Sequence, residues 1–169
     1  MKKITILVSL VALLSIASLT VNAQVSATAT TSATIITPIA ISKSVDMNFG
    51  NVAVSPTIAG TVQLTTANTR NAGGGVTLPA TAGTVSAAKF TVTGLAGSTY
   101  SISLPASITL TSGGNNMVVN AFTSTPTPTG TLTGGTQDLF VGATLNVGAA
   151  QPAGLYTNLT GLVVTVNYN

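Results

Sequence analysis

Apolar and polar residues alternate along most of this chain, which is the period of a β-strand with one buried face. The longest such stretch covers residues 25–49, where odd positions are mostly apolar or small and even positions are mostly polar. Pro38 interrupts the stretch, and a proline cannot donate a hydrogen bond to a strand ladder. The pattern therefore predicts two strands, over about residues 25–36 and 39–49, separated by a bend or a change of sheet.

Further short strands are predicted at intervals of about 8–12 residues, separated by Gly and Pro turns. Residues 117–122 form one of them, whereas residues 71–75 and 124–135 are predicted to be loops. This spacing, with few helix-forming residues, predicts an all-β fold, a single antiparallel β-sandwich over residues 24–169. The side chains predicted to face inward are Val62, Leu64, Ala88, Phe90, Val92, Tyr100, Ile102, Leu104, Ile108, Leu110, Leu139, Val141, Ala143, Leu145, Val147, Leu162, Val164, Val166 and Tyr168.

The first 23 residues have the features of a cleaved signal peptide. Lys2 and Lys3 precede an apolar run over residues 4–19, and residues 21–23 are suited to a signal peptidase. The run is short for a membrane span of about 20 residues, and no basic cluster follows it. We therefore expect a protein secreted to the periplasm or cell surface of a bacterium, with no stable membrane span after cleavage.

Charge and cysteine content narrow the possible partners. Residues 24–169 carry Lys43, Arg70 and Lys89 against Asp46 and Asp138, a net charge of +1 without a basic cluster. Nucleic-acid binding is not expected, because phosphate neutralisation needs clustered cations. The absence of cysteine excludes disulfides and the lipid attachment of a lipoprotein. A charged fraction of only 4% favours association with other copies.

The residue inventory offers little catalytic chemistry. The chain has no His, Cys or Glu, so a serine nucleophile would have only Lys43 or Lys89 as its base. We expect Lys43 to be an exposed edge lysine, and nothing in the sequence links Asp46 to Asp138. Zinc ligands and clustered carboxylates for calcium are also missing. The sequence predicts a non-enzymatic protein with no metal and no cofactor.

A carbohydrate site is the main alternative to a purely structural role. Such sites use exposed aromatic rings, but the chain has no Trp, and Tyr100 and Tyr168 fall on inward-facing positions. Tyr156 is the one ring that could be free, although packing at one end of the sandwich is the favoured interpretation. Residues 158–160 fit a glycosylation sequon but are expected to form a turn.

Several segments carry a resemblance to a family of bacterial secreted proteins described only as a domain of unknown function. They are residues 47–50, 90–94, 100–106, 152–156 and 164–169, and the similarity covers essentially residues 24–169. More distantly, the C-terminal end resembles spore coat protein U and the archaic chaperone–usher pilins. That resemblance implies an incomplete, immunoglobulin-like (pilin-like) sandwich whose N-terminal extension fills a groove in the next subunit.

The resemblance to pilins implies a role for two sets of residues. The donor strand, over residues 24–36, would place Val25, Ala27, Ala29, Ala33 and Ile35 in the next subunit, and the acceptor edge would be lined by Leu162, Val164, Val166 and Tyr168. Its partners would be copies of itself and an export chaperone or usher. The leading hypothesis is a pilin-like or coat-like structural subunit. Two alternatives stay open, namely that the first strand completes its own sandwich and that the protein is a monomeric adhesin or glycan-binding module.

Overall fold

The computed structural model describes residues 24–169, so the predicted signal peptide lies outside the described residues. The chain divides into a first unit that ends at Ile35 and a compact unit over Ile36–Asn169. Within residues 24–169 the strands are β1 (Ala40–Val45), β2 (Ala53–Val54), β3 (Gly60–Leu64), β4 (Arg70–Gly74), β5 (Val76–Thr77), β6 (Ala88–Thr93), β7 (Thr99–Ser103), β8 (Ser107–Ser112), β9 (Asn115–Thr125), β10 (Thr129–Thr131), β11 (Thr136–Val147) and β12 (Thr165–Tyr168), with one 3-10 turn at Thr133–Gly135.

The long strand β11 is the centre of a seven-stranded antiparallel sheet. Strands β6 and β3 follow one another along one of its edges, and β9 pairs along the opposite edge. Strand β1 lies outside β6, β4 outside β3 and β8 outside β9. The register of β9 shifts beside Gly142. A side chain at Gly142 would run into the carbonyl oxygen of Leu64, so the close approach of β3 requires glycine there.

A smaller sheet, in the order β10-β7-β12, covers the first half of the large sheet. The apolar side chains between the two sheets form the second core cluster, which includes the fully buried residues Val92, Tyr100, Leu132, Leu139 and Val141. Burial raises the pKa of the Tyr100 hydroxyl, which donates a hydrogen bond of 2.9 Å to Oε1 of Gln137. This half of the molecule is a two-layered sandwich.

The second half of the large sheet has a different cover. Its first core cluster includes Val62, Leu64, Val119, Leu145 and Val147 from β3, β9 and β11. Phe49 and Val76 pack on it, and they come from a loop and from the two-residue ribbon formed by β2 and β5. A complete second layer of strands therefore extends over only one half of the large sheet.

The predicted all-β antiparallel fold is confirmed. The predicted inward positions are correct where the strands are central, and Val62, Leu64, Val92 and Leu139 are fully buried. The prediction of a loop over residues 71–75 is wrong, because Arg70–Gly74 pairs with β3 along its whole length. The predicted loop over residues 124–135 contains the end of β9 and all of β10. Backbone pairing does not require apolar side chains, so the Gly and Asn residues of β4 can form an edge strand of the sheet.

The N-terminal segment, residues 24–38, departs most from expectation. The sequence predicts a strand over residues 25–36, but this segment belongs to no strand and all of its residues are exposed. A strand needs a neighbouring backbone as well as alternation, and the compact unit begins only at Ile36. The next predicted strand, over residues 39–49, forms as β1 and ends in an isolated bridge between Asn48 and Ser86.

Candidate functional site

The half of the large sheet without a strand cover carries an apolar groove of about 790 Å³. Residues 46–54 line one part of this groove, and residues 151–158 with Gly161 and Leu162 line another. Six side chains of the large sheet complete the lining: Ile108, Leu110, Met117, Val119, Leu145 and Val147. The first three of these are only half-buried, so the groove exposes part of the hydrophobic core.

Hydrogen bonds from side chains hold the first wall of the groove, residues 46–54. The guanidinium of Arg70 on β4 donates from Nη1 to the carbonyl oxygens of Phe49, at 2.7 Å, and Asn51, at 2.8 Å. The backbone N–H of Gly50 donates to Oδ1 of Asn48 at 2.8 Å, and Gly50 has a φ of +68° that favours glycine. This wall thus depends on one arginine and a tight turn.

The second wall, residues 151–162, is held in a similar way. The Tyr156 hydroxyl donates to the carbonyl oxygen of Pro152 at 2.8 Å and accepts from Nε2 of Gln151 at 2.9 Å. Asn158, the sequon residue, donates from Nδ2 to the carbonyl of Thr109 at 2.9 Å and accepts from the N–H of Gly161. The ring of Tyr156 is half-buried and its hydroxyl is engaged within the chain, as the packing interpretation expects. Asn158 forms a turn, as the sequence predicts.

The four residues predicted to line an acceptor edge, Leu162, Val164, Val166 and Tyr168, all pack in or against the second core cluster. Leu162 also lines the groove. Only the last two belong to β12, which pairs with β7 and forms the edge of the smaller sheet. Residues 161–164 precede β12 and belong to no strand, although Leu162 and Val164 keep the inward alternation.

The penultimate residue, Tyr168, fixes the start of the compact unit. Its hydroxyl accepts a hydrogen bond from the backbone N–H of Leu95 at 2.6 Å and donates one to the carbonyl of Thr37 at 2.8 Å. A side chain at Gly94 would run into this hydroxyl. The position of Thr37 beside the end of β12 was not deducible from the sequence, because residues 37 and 168 are far apart in the chain.

The predicted donor residues Val25, Ala27, Ala29, Ala33 and Ile35 all precede this anchor point and are exposed. Val25 is 92% exposed and Ile35 98% exposed, so the two largest side chains of the predicted donor set are almost wholly in solvent. Large exposed apolar residues in a regular alternation are unfavourable in water.

The acidic residues are both in ion pairs. Lys43 Nζ lies 2.6 Å from Oδ1 of Asp46, and both side chains are mostly exposed, as expected of an edge lysine. On the neighbouring strands β6 and β11, Lys89 Nζ lies 2.8 Å from Oδ2 of Asp138. The hydrogen bond from Lys89 lowers the pKa of Asp138 below its ordinary value, helped by a hydrogen bond from Thr91. The sequence missed both pairs because they depend on strand register and turn geometry.

No group of three or more His, Cys, Asp or Glu side chains lies together within residues 24–169. Over the same residues, no helix has the length and apolar character needed to cross a membrane.

Comparison with known proteins gives one family. The model of the family described as a domain of unknown function, DUF4402, matches residues 39–168, which is most of the compact unit. No curated protein and no solved structure matches the chain.

Proposed function

Since the chain belongs to the DUF4402 family, a domain of unknown function, we propose its role from its own residues. We propose that it is an exported, non-enzymatic subunit of a bacterial surface fibre or coat, similar in its assembly to pilins and spore coat protein U. Its partners are other copies of itself and, during export, a chaperone or usher. It acts in the periplasm or at the cell surface.

The N-terminal segment is the observation that carries this proposal. Residues 24–38 are exposed, contain no charged residue and alternate apolar with polar side chains. The family match begins at residue 39, so the segment lies outside the matched residues. Such an extension suits β-strand addition, in which backbone hydrogen bonds give affinity and alternate side chains give specificity.

The compact unit offers features that a strand from another copy could use. Strand β12 has a ladder on one side only, and residues 161–164 continue its alternation without a ladder. Native proteins usually protect such edges with charge or proline. The alternative role, a monomeric adhesin that binds glycans, has less support because the hydroxyl of Tyr156 is already bonded to Pro152 and Gln151.

Deletion of residues 24–34 from the chain that begins at Gln24 tests the proposal. We expect the intact chain to form polymers and the shortened chain to stay monomeric, as measured by size-exclusion chromatography with light scattering. A matched pair of point variants sharpens the test. Ala29→Asp places a charge on the apolar side of the segment and should abolish polymers, whereas Thr30→Asp places it on the polar side and should be tolerated.

Two results would contradict the proposal. A shortened chain that assembles as well as the intact chain would show that the segment is not required. An intact chain that stays monomeric and binds defined sugars on a glycan array would favour the adhesin instead.

A further inference from the structure

We infer that the apolar groove receives residues 25–36 of a second copy and that the copies are joined head to tail. The inference rests on the proposed function and adds the location of the acceptor site. It differs from the acceptor edge predicted from the sequence, because Leu162 is the one residue of that predicted set that lines the groove.

The chemistry of the groove suits this occupant. Asp46 is the one charged residue in its lining, and Asp46 is already paired with Lys43. The proposed occupant is also uncharged. Because Ile108, Leu110 and Met117 are half-buried, the groove leaves room for modest side chains over them. The alanines of the segment, Ala27, Ala29 and Ala33, are small enough to enter it.

One wall of the groove has backbone suited to an added strand. Residues 162–164 alternate like a strand but have no ladder. The other wall is already bonded within the chain, through the carbonyl oxygens of Phe49 and Asn51 and the N–H of Gly50. A strand laid along residues 162–164 would supply backbone partners there and cover the half-buried side chains of β8 and β9.

Within the compact unit, Thr37 and the groove lie at opposite ends of β1. Thr37 is bonded to Tyr168, the last residue of β12, and precedes β1. The groove lining begins at Asp46, just after β1, and includes Leu162, just before β12. Six residues of β1 separate the two locations, a distance of about 17–20 Å at ~3.3 Å per residue.

This arrangement determines the type of assembly. The surface that donates and the surface that accepts are different parts of the chain, so the contact between copies is heterologous. Heterologous contacts that do not close into a ring give an open filament. A segment that filled the groove of its own chain would have to turn back along the length of β1.

Engineered cysteines test the site, since the chain has no cysteine of its own. One set of chains carries Ala27→Cys, Ala29→Cys or Ala33→Cys, and a second, tagged chain carries Met117→Cys in the groove. The control replaces Met117→Cys by Val118→Cys, the next residue of β9, which lies outside the groove and is 41% exposed. Donor and acceptor chains are mixed in urea, refolded together, oxidised mildly and separated by mass.

We expect a mixed disulfide dimer between Met117→Cys and at least one donor chain, and loss of that dimer with Val118→Cys. A disulfide requires Cα atoms within about 7 Å, so this result would place the segment in the groove. Polymers that form with no preference for Met117→Cys would overturn the groove as acceptor but leave the proposed function intact. An intact chain that forms no polymer would overturn both.

Discussion

Tyr168 connects three parts of the molecule through one side chain. Its ring packs against the second core cluster, and its hydroxyl links the turn after β6 at Leu95 to the carbonyl of Thr37. Gly94 provides the space for it. The residue therefore determines where the exposed N-terminal segment ends and the compact unit begins.

The variant Tyr168→Phe removes both hydrogen bonds but keeps the ring. We expect a loss of about 1–2 kcal/mol in the free energy of unfolding, measured in urea, because the N–H of Leu95 loses its partner. Hydrogen exchange at the start of β1, over residues 40–42, should become faster. Tyr156→Phe is the control, since its hydroxyl bonds to Pro152 and Gln151, and it should leave exchange at residues 40–42 unchanged. Equal exchange in the two variants would contradict the anchoring role.

The pair between Lys89 and Asp138 makes stability depend on pH at the acid end. Because Lys89 lowers the pKa of Asp138 below its ordinary value of 3.8, the fold favours the carboxylate. This stabilisation is complete above the unfolded pKa and is lost as the pH falls through the lower folded pKa. The effect is small, because the pair is exposed to solvent.

Replacement of Lys89 tests this assignment. We expect Lys89→Met to raise the pKa of Asp138 back towards 3.8, measured by NMR titration of its carboxyl carbon. Lys43→Met should leave it unchanged, since Lys43 pairs with Asp46. A pKa that does not move in Lys89→Met would assign the shift to Thr91 or to the backbone.

At the scale of elements, the edge strand β4 holds a wall of the groove. Arg70 on β4 is partly buried and bonds the carbonyls of Phe49 and Asn51, which belong to residues 46–54. Strand β4 is thus more than a cover for β3. It connects the shape of the groove to the large sheet.

Arg70→Met should loosen this wall while keeping much of the apolar stem. We expect a loss of about 2 kcal/mol in the free energy of unfolding, because two hydrogen bonds to a charged group disappear. Hydrogen exchange at residues 49–52 should rise, while exchange in β7, in the other half of the molecule, should stay as it is. A uniform rise across the chain would show general destabilisation rather than a local role.

Much of this architecture was predictable from the alternation, and the exceptions have physical reasons. The central strands β3, β6 and β11 bury the residues that the alternation indicates, because both of their edges are paired. Strand β4 was missed because Gly and Asn at an edge pair through the backbone alone. Residues 25–36 were predicted as a strand from side chains that have no backbone partner in the described chain.

The candidate site was less predictable than the fold. Alternation identified Leu162 and the sheet residues Ile108, Leu110, Leu145 and Val147. It did not identify the walls, because residues 46–54 and 151–158 are shaped by turns and side-chain hydrogen bonds. The three long-range contacts of Arg70 and Tyr168 with Phe49, Asn51 and Thr37 depend on how the sheets pack. No periodicity in a single sequence encodes them.

At the scale of the whole molecule, stability and assembly depend on different apolar residues. Leu139 is fully buried in the second core cluster, whereas Ile35 is 98% exposed. Leucine and isoleucine side chains contain the same atoms. Substitutions at these two positions therefore compare the effect of apolar burial within one chain with its effect between chains.

Leu139→Ala should cost about 2–5 kcal/mol in the free energy of unfolding, because it leaves a cavity in a packed core. Ile35→Ala should change the unfolding free energy of the monomer by less than about 0.5 kcal/mol, as an exposed substitution does. We expect Ile35→Ala instead to lower the fraction of polymer in light scattering. A normal polymer fraction in Ile35→Ala would remove that residue from the interface.

The charged side chains of residues 24–169 are already engaged within their own chain. Two ion pairs hold both aspartates and two lysines, and Arg70 is bonded to two carbonyl oxygens. Contacts between copies would therefore draw on apolar burial and backbone hydrogen bonds, which ionic strength affects little. Apolar burial weakens as water is cooled. A fibre built from this chain would tolerate both fresh water and brine, and it would be loosest in the cold.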